Sequence, residues 1–452
     1  MARPLRIAMF LGSFPVISET FIIRQITGLL DLGHSIDIFA NSRPDPSSPV
    51  HPEVAKYRLL ERTTYIDAPP ETIDWEMPVI PLTGRTWAPG AEISIHNSVR
   101  AARALPKFLR FFSRAPRLTF QALSSAQFGY QAASLSTLYR LAELCLTTNR
   151  YDVLHAHFGP VANSFRFARQ LFRAPLCVSF HGYDFSTLPR QEGSGMYRKL
   201  FKTADAVTVN SQYTFSQVEK LGCPRSLLHL LPVGLDPIQF PFRERSRKLS
   251  EPVRLLTVAR LVPIKGHEYV IRAVARLRDE GCNIGYNIVG DGPLKETLRR
   301  LIHDLNLDQT VTLHGSLDSL GISHLLDCSH IFVLASVSVN GDQEGQGLAL
   351  QEAQAAGLPV IATNHGALPE GMSAGESGFL VPERDVTALT ERLKYLVAHP
   401  EEWASMGHKG RAFVEKKFDI QKLNRKLSVI YEIMVENHGK RKGEQAISLA
   451  GD

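Results

Sequence analysis

Cysteine is scarce and scattered in this chain. Its five cysteines, at positions 145, 177, 223, 282 and 328, include no C-x-x-C pair, and an odd count leaves at least one thiol unpaired under any scheme. They read as buried thiols in a reducing cytoplasm. Long apolar runs are missing too. No stretch offers the roughly 18 apolar residues that a bilayer-spanning helix needs. The first apolar run, Ile7–Leu11, is too short for a signal-peptide core and leads into Gly-Ser-Phe-Pro without a small-residue cleavage site. The expectation is a protein that is neither secreted nor integral to a membrane.

What is present describes a folded chain of ordinary composition. At 452 residues, 44% hydrophobic, 21% charged and 8% aromatic, it is too apolar to be disordered and long enough for two or three domains, each with its own core. Charge is uneven. The 51 Lys and Arg exceed the 45 Asp and Glu by 6, yet residues 1–235 carry 25 cations against 17 anions (+8) and residues 236–452 carry 26 against 28 (−2). A basic front half implies an anionic surface or ligand.

The opening reads as a β–loop–α–β unit: a strand at Leu5–Leu11, a turn at Gly12–Pro15, a helix capped by Ser18 and running to Leu32, and a strand at Ser35–Ala40. Pro44 to Pro89 is rich in turn formers, and we read it as an elaborated, mobile region. Strands resume at Val153–Phe158, Leu176–Phe180 and Ala206–Val209. A second β/α series predicts strands at Val253–Val258, Gly285–Val289, Thr310–His314, Ile331–Leu334 and Pro359–Ala362, and helices at Glu268–Asp279, Pro293–Leu305, Gly321–Leu326 and Gly347–Ala356. Two doubly wound parallel sheets in tandem, joined by a linker at Pro232–Arg247, is the economical arrangement. A last helix is expected over about Ala412–Glu436, followed by a frayed polar tail.

Open α/β sheets bind ligands beyond the carboxyl ends of their strands, and polar, glycine-rich loops stand there in both halves. Gly12, after the first strand, would let a ligand approach the backbone, although a plain turn glycine fits as well. The loop Ala259-Arg260-Leu261-Val262-Pro263-Ile264-Lys265-Gly266 carries a guanidinium and an ammonium five residues apart, a pair suited to a diphosphate and, taken alone, equally suited to a solvated surface. The segment Asp342-Gln343-Glu344-Gly345-Gln346-Gly347-Leu348-Ala349-Leu350-Gln351-Glu352 adds context. The free N–H groups of Gly347 and Leu348, at the positive end of a helix dipole, form an anion site. Glu352, about a turn and a half into the helix, can then accept from ribose hydroxyls, leaving Glu344 free to face the group on the phosphate.

With these residues in this order the chain resembles the retaining glycosyltransferases of family 4, over nearly its whole length. Arg260, Lys265, Val289-Gly290-Asp291-Gly292-Pro293-Leu294, Glu344 and Glu352 carry the resemblance. Phe14-Pro15 with Ser18-Glu19-Thr20-Phe21, His155-Ala156-His157-Phe158-Gly159, His181-Gly182-Tyr183-Asp184 and Gly341-Asp342-Gln343-Glu344-Gly345 look more narrowly like the colanic-acid and amylovoran exopolysaccharide transferases. The resemblance implies an α/β GT-B fold, two Rossmann-like domains facing across a cleft. Residues 1–235 would bind acceptor, 236–420 nucleotide sugar, and 421–452 would form a helix returning to the N-terminal domain plus a polar tail. It implies transfer of a sugar, with retained configuration, from a nucleotide-diphosphate donor, UDP being the commonest carrier, to a hydroxyl of a lipid-linked glycan in exopolysaccharide biosynthesis, without a separate cofactor.

By the same resemblance Arg260 and Lys265 would neutralise the donor diphosphate, Glu352 would hold the ribose and Glu344 would contact the donor sugar, with Gly12, Gly290, Gly347 and Leu348 completing the donor site. His181 matches the family's active-site histidine, so His181 and Glu344 are the catalytic candidates. One departure stands out: Gln346 replaces the aromatic usual between the two glycines of E-G-F-G. His155 and His157, alternating on one strand, are read as facing opposite sides and so as unable to share a metal. With no D-x-D and no H-E-x-x-H in the chain, metal independence is expected, the Arg/Lys pair and the helix terminus standing in for a cation.

The front half holds one more signal. Arg100, Arg103, Lys107, Arg110, Arg114 and Arg117 recur at helical spacing among Phe108, Leu109, Phe111 and Phe112, with no acid between Asn97 and Phe120. Such a stripe can lie on anionic lipid, placing the enzyme at the inner face of the cell membrane, while Pro106 and Pro116 are expected to interrupt the helix and leave a solvated basic face as the simpler reading. Nucleic acid is not an expected partner, since no reading motif accompanies the cations. Two other function classes fit a pair of βαβ sheets: a dinucleotide-dependent oxidoreductase, disfavoured because Gly12-Ser13-Phe14-Pro15 lacks G-x-G-x-x-G, and a non-catalytic sugar-nucleotide binder.

Overall fold

The structure is a computed structural model that describes residues 3–16, 19–44, 50–66, 97–113, 115–133, 135–248 and 251–450. Its strands form two sheets. In the first, β1 (Arg6–Ser13), β2 (Ser35–Ser42), β3 (Thr63–Tyr65), β4 (Val153–His157), β5 (Leu176–Phe180), β6 (Ala206–Val209) and β7 (Leu228–Leu230) lie in the order β3-β2-β1-β4-β5-β6-β7. In the second, β8 (Val253–Val258), β9 (Ile284–Val289), β10 (Val311–Gly315), β11 (Ile331–Leu334), β12 (Val360–Thr363) and β13 (Gly378–Val381) lie in the order β10-β9-β8-β11-β12-β13. Every pairing is parallel. Strand order reverses beside β1 and beside β8, which opens a crevice at the carboxyl ends of both sheets.

Helices cover both faces of each sheet, so the strands are apolar on both sides. All five residues of β4 and of β5 are buried. Helix α1 (Thr20–Asp31) links β1 to β2; α2 (Asn97–Phe112) and α3 (Pro116–Ala122) lie on the outside; α4 (Gly159–Phe165) and α5 (Gln212–Lys220) follow β4 and β6. In the second half α6 (His267–Asp279) follows β8 and α7 (Leu348–Ala355) precedes β12. The chain ends in α8 (Trp403–Lys417) and α9 (Ile420–Ala450). Leu423, Leu427, Ile430, Tyr431 and Met434 of α9 join the core formed by Ile7, Met9, Ile22 and Ile26, so the last helix packs on the first domain. The two chain crossings between the halves are tied together: Leu235 N–H donates to Phe418 O at 2.8 Å, and Ile420 N–H donates to Leu235 O at 2.9 Å.

Several expectations need correction. The predicted helix over Ala412–Glu436 is two helices, broken at Phe418–Asp419, because the Asp419 carboxylate accepts from the N–H groups of Gln421 and Lys422 and starts a new helix there. The tail beyond Glu436 is helical to Ala450, in keeping with its Lys, Arg, Glu, Gln and Ala content. Pro106 does not break α2, which runs through it, and Pro116 sits in the first turn of α3, where a missing N–H costs little. Of the turn-rich region, residues 50–66 form a short helix, a 3₁₀ turn and edge strand β3, while 45–49 and 67–96 lie outside the described residues, as does the expected cap Ser18. All five cysteines are free, but only Cys177 and Cys223 are fully buried. No helix among the described residues is long and apolar enough to cross a membrane.

Candidate active site

The second sheet presents three loops at its carboxyl end. After β8, Arg260 is exposed, its guanidinium without a hydrogen-bond partner among the described residues, while its carbonyl faces His267 Nε2 at 3.0 Å. After β9, Gly290 has a φ of +140° and lies so close to the Ala259 carbonyl that a side chain there would collide with it. Leu261 N–H donates to Asp291 O at 2.9 Å, so the glycine loop braces the segment that carries Arg260. Before α7 lies the third loop, Glu344–Gly347.

Glu344 is not free, contrary to expectation. Its carboxylate is held by the Lys265 ammonium through both oxygens, at 2.9 Å to Oε2 and closer to Oε1, and the two side chains are only 11% and 16% exposed. Burial would raise this carboxyl, but Lys265 beside it, with Arg260 adding positive potential, holds it below the ordinary glutamate value. Glu344 N–H donates to His365 Nε2 at 3.0 Å, and His365 Nδ1 therefore donates to Glu383 at 2.7 Å. Two buried links thus fix the loop from behind.

The first sheet brings up the other wall. His181 follows β5 and sits against the rings of Phe21 on α1 and Phe158 after β4, each with ring centroids at 4.8 Å. Its Nε2 lies 3.0 Å from His157 Nδ1, the rings nearly coplanar at 8°. Burial drives the His181 imidazole down to about 3 and that of His157 well below the ordinary value, so both are neutral at physiological pH. Asp184 works on the backbone: its carboxylate accepts from the N–H groups of His181 (3.1 Å), Gly182 (2.8 Å) and Gly159 (3.2 Å), pinning the His181 loop to the start of α4.

The two walls touch. A Cβ on Gly345 would strike the carbonyl of His181. Ser186 Oγ donates to Asp342 at 2.5 Å, Arg190 donates to the carbonyls of Asn340 and Gly341, and Glu370 accepts from the N–H groups of Gln212 and Tyr213 at 2.7 and 2.8 Å, capping α5 from the other domain. Gln346, the departure from E-G-F-G, grips the backbone of Val233 in the interdomain linker through its side-chain amide.

Two family models match the two halves of the chain whose loops meet here. The model described as Glycosyl transferase 4-like domain matches residues 18–234, and Glycosyl transferases group 1 matches 239–413. WcaL of Escherichia coli (strain K12), a protein named for colanic acid biosynthesis, is 31% identical over 95% of this chain and 100% of its own. The chain belongs to the group 1 glycosyl transferases. The amylovoran biosynthesis glycosyltransferase AmsK of Erwinia amylovora is 30% identical over 95% of this chain and 99% of its own. A GDP-mannose-dependent phosphatidylinositol monomannoside mannosyltransferase of Mycolicibacterium smegmatis is 30% identical over 64% of this chain and 80% of its own. Among solved structures, Anabaena Alr3699/HepE in complex with UDP superimposes with a TM-score of 0.65 at 16% identity, covering 95% of this chain and all of the other. Sucrose-phosphate synthase of Thermosynechococcus elongatus gives 0.65 at 20% identity, covering 96% and 100%. The fold of this glycosyl transferase is therefore GT-B.

Within the transferase, Arg260, Lys265, Gly290, Glu344, Gly347 and Leu348 gather at one end of the second sheet, and His181 closes on them from the first. Glu352 lies deeper on α7. Burial raises its carboxyl, and the opposing charge is Arg24 of α1, in the other domain, whose guanidinium also donates to Gln239 at 2.7 Å. Gly12 stands one residue before the end of β1, where an added Cβ would meet only Val161 among the described residues. His155 and His157 do not face opposite sides. Residues two apart on a strand share a face, and their rings stack at 4.5 Å; both His155 nitrogens are engaged, by Tyr431 Oη at 2.5 Å and Ser179 Oγ at 2.7 Å. Sequence reasoning missed His365, Glu383 and Glu370, and singled out His157 without giving it a role beside His181. The signals for His157 and His365 were their places at the carboxyl ends of β4 and β12, where ligand-site residues cluster.

Proposed function

We propose that this transferase moves a sugar from a nucleotide-diphosphate donor to a hydroxyl of a lipid-linked glycan during exopolysaccharide assembly, with retention of anomeric configuration and without a metal ion. The observation that carries the reading is the cluster of Lys265, Glu344 and Arg260 beside the start of α7, set against His181 of the opposite domain. A diphosphate entering there meets the Arg260 fork, the Lys265 ammonium and the free N–H groups of Leu348 and its neighbours. Charge developing on the departing phosphate is met by donors fixed in advance in a partly buried site, where they act more strongly than in water. That supports turnover without a cation. The acceptor hydroxyl attacks on the face that the diphosphate leaves, and the leaving phosphate takes its proton. WcaL and AmsK are named for the biosynthesis of colanic acid and of amylovoran, which supports the exopolysaccharide role. UDP, bound by HepE, and GDP, named for the mycobacterial relative, are the two carriers to test.

The lipid character of the acceptor is supported by the α2–α3 surface. Leu105, Leu109 and Phe120 are about 60% exposed and Phe112 is 39% exposed; Phe120 packs its ring edge-on against Phe112 at 5.4 Å, and Arg110 and Arg117 are exposed beside them. Lys107 is not a free member of the basic stripe, because it pairs with Glu143 at 3.0 Å; the side chains of Arg100, Arg103 and Arg114 lie outside the described residues.

The test is transfer by the purified full chain with UDP- and GDP-sugars and a lipid-linked glycan fraction, following nucleoside diphosphate release and, by NMR, the new anomeric centre. Acceptor-dependent release that persists in EDTA, with retained configuration, is expected. Turnover left unchanged in both His181→Ala and Glu344→Ala would sink the site, and a nicotinamide absorbance change would mark an oxidoreductase.

A further inference from the structure

The strongest unassigned feature is the polar chain behind His181. His157 is 1% exposed, and its Nδ1 meets His181 Nε2 at 3.0 Å. The outer nitrogens of the pair, His157 Nε2 and His181 Nδ1, are buried and have no hydrogen-bond partner among the described residues. His157 cannot swing. His155 stacks on it, itself held at both nitrogens by Tyr431 and Ser179, and Ser179 Oγ is 2.5 Å from Thr208 Oγ1. The plane of the His181 partner is thus set by β4, β5, β6 and the C-terminal helix together.

One proton sits between the two imidazoles, and two arrangements are open. If His181 donates, His157 must carry its own proton on Nε2, a buried N–H with nothing to receive it. If His157 donates from Nδ1, its Nε2 is a bare acceptor, and His181 carries its proton on Nδ1. Each arrangement leaves one N–H and one bare nitrogen without a partner, so they differ only in where the N–H stands. The first seals it on His157, 1% exposed. The second puts it on His181, which is only partly buried and lies on the wall where the domains meet, where a bound ligand oxygen can accept it, and the second is therefore favoured. It leaves His181 with a free N–H donor.

We propose that His157 is a positioning residue for His181: by donating Nδ1–H to His181 Nε2 it fixes the His181 tautomer in which Nδ1–H is the group offered to the donor sugar or its leaving phosphate. A fixed tautomer matters because the neutral imidazole offers one donor and one acceptor, and exchanging them turns an attractive contact with a phosphate oxygen into a repulsive one. This rests on the reading of His181 as the residue that faces the donor.

The experiment uses the full-length protein labelled with ¹⁵N-histidine. In the wild type, two-bond ¹H–¹⁵N correlation, with the His181 signal assigned from its absence in His181→Ala, should show Nδ1 protonated and Nε2 bare. An Nε2–H tautomer overturns the proposal whatever the kinetics show. His157→Leu should lower kcat about 10- to 100-fold with donor KM held within about threefold. His157→Asn, whose amide can still donate at that position, should recover most of the loss. In a His181→Ala background, His157→Leu should have no further effect on kcat. Folded His157→Leu with unchanged kcat, or an equal loss in the His181→Ala background, would overturn the positioning role alone. Full turnover in His181→Ala would instead remove the reading beneath it.

Discussion

Gln346 holds both backbone groups of Val233: its Oε1 accepts from Val233 N–H and its Nε2 donates to Val233 O, each at 2.8 Å, with the side chain 6% exposed. The loop before α7 is therefore tied to the linker between the two domains. Gln346→Leu removes both bonds and leaves the half-buried Val233 groups without these partners, a loss of about 1–3 kcal/mol. Thermal unfolding should register this, and donor KM should rise. Scattering measurements with UDP or GDP should show weaker compaction than the wild type. An unchanged melting temperature and KM would make the clamp incidental.

Gly345 is needed for a different reason. A methyl group there meets the carbonyl of His181, which is backbone and cannot turn aside. Gly345→Ala should push the two walls apart at a cost of about 1–3 kcal/mol, lowering kcat/KM at least tenfold while each domain keeps its secondary structure by circular dichroism. Near-wild-type turnover would mean that the walls need not touch in the working enzyme.

Lys265 and Glu344 form a buried pair, so the variants should not be additive. Lys265→Met strands a buried carboxylate and should cost about 3–5 kcal/mol; adding Glu344→Gln should restore much of that stability while activity stays low. If the double variant is no more stable than Lys265→Met, the pair is not coupled. Donor added to wild-type enzyme should raise its melting temperature by mass action, and Lys265→Met should lose that response.

Much of this was legible in the residues. Strands β5, β6, β8 and β11 are mostly apolar runs, and their ends match the expected ones. Strands β3, β7 and β13, of three or four residues each, are too short for any periodicity to show. The donor loops could be read because a helix start, two cations and two glutamates stand close in sequence. The opposite wall could not, because Phe21 comes from a helix and His157, Phe158 and His181 from two separate strand ends, and they meet only through the fold. The histidine pair was misread for a simpler reason, a strand's period of two applied the wrong way round. The pairing of Glu344 with Lys265 leaves no local sign, because it spans 79 residues of sequence.

Acid should destabilise the first domain through its histidines. His155 and His181 are held near 3 and His157 well below the ordinary value, all by burial. Their folded values lie below the unfolded value of about 6.5, so the stability they contribute is complete above that pH and is lost as pH falls toward 3, where the unfolded chain binds protons that the native chain excludes. Glu19 and Asp184, raised by burial to about 7 and about 6, act in the opposite sense, losing their contribution as pH rises through those values. Between pH 3.5 and 4.5 both are protonated in the native state while their unfolded forms titrate near the ordinary 4.5 and 3.8, so they offset only part of the loss from the three histidines. Each contributes a slope of about 1.4 kcal/mol per pH unit. Urea unfolding between pH 3.5 and 4.5 should show this loss, and His181→Asn should reduce the slope by about one proton. A slope unchanged by the substitution would place His181 in solvent.

The α2–α3 surface makes a final, separable prediction. Leu109 and Phe112 supply apolar area, and Arg110 and Arg117 supply charge, so binding to lipid should need both. Vesicles of mixed neutral and anionic lipid should sediment the wild-type protein at low salt and release it as salt rises, since each cation near the surface is worth about 1 kcal/mol and is screened within a Debye length. Arg110→Glu with Arg117→Glu should abolish sedimentation. Leu109→Ser with Phe112→Ser should weaken it while leaving the salt dependence. Turnover on a short water-soluble acceptor should be untouched by all four substitutions, because none lies at the donor cleft. Equal sedimentation of every variant would remove the membrane from this reading, and loss of turnover on the soluble acceptor would assign the surface to the fold.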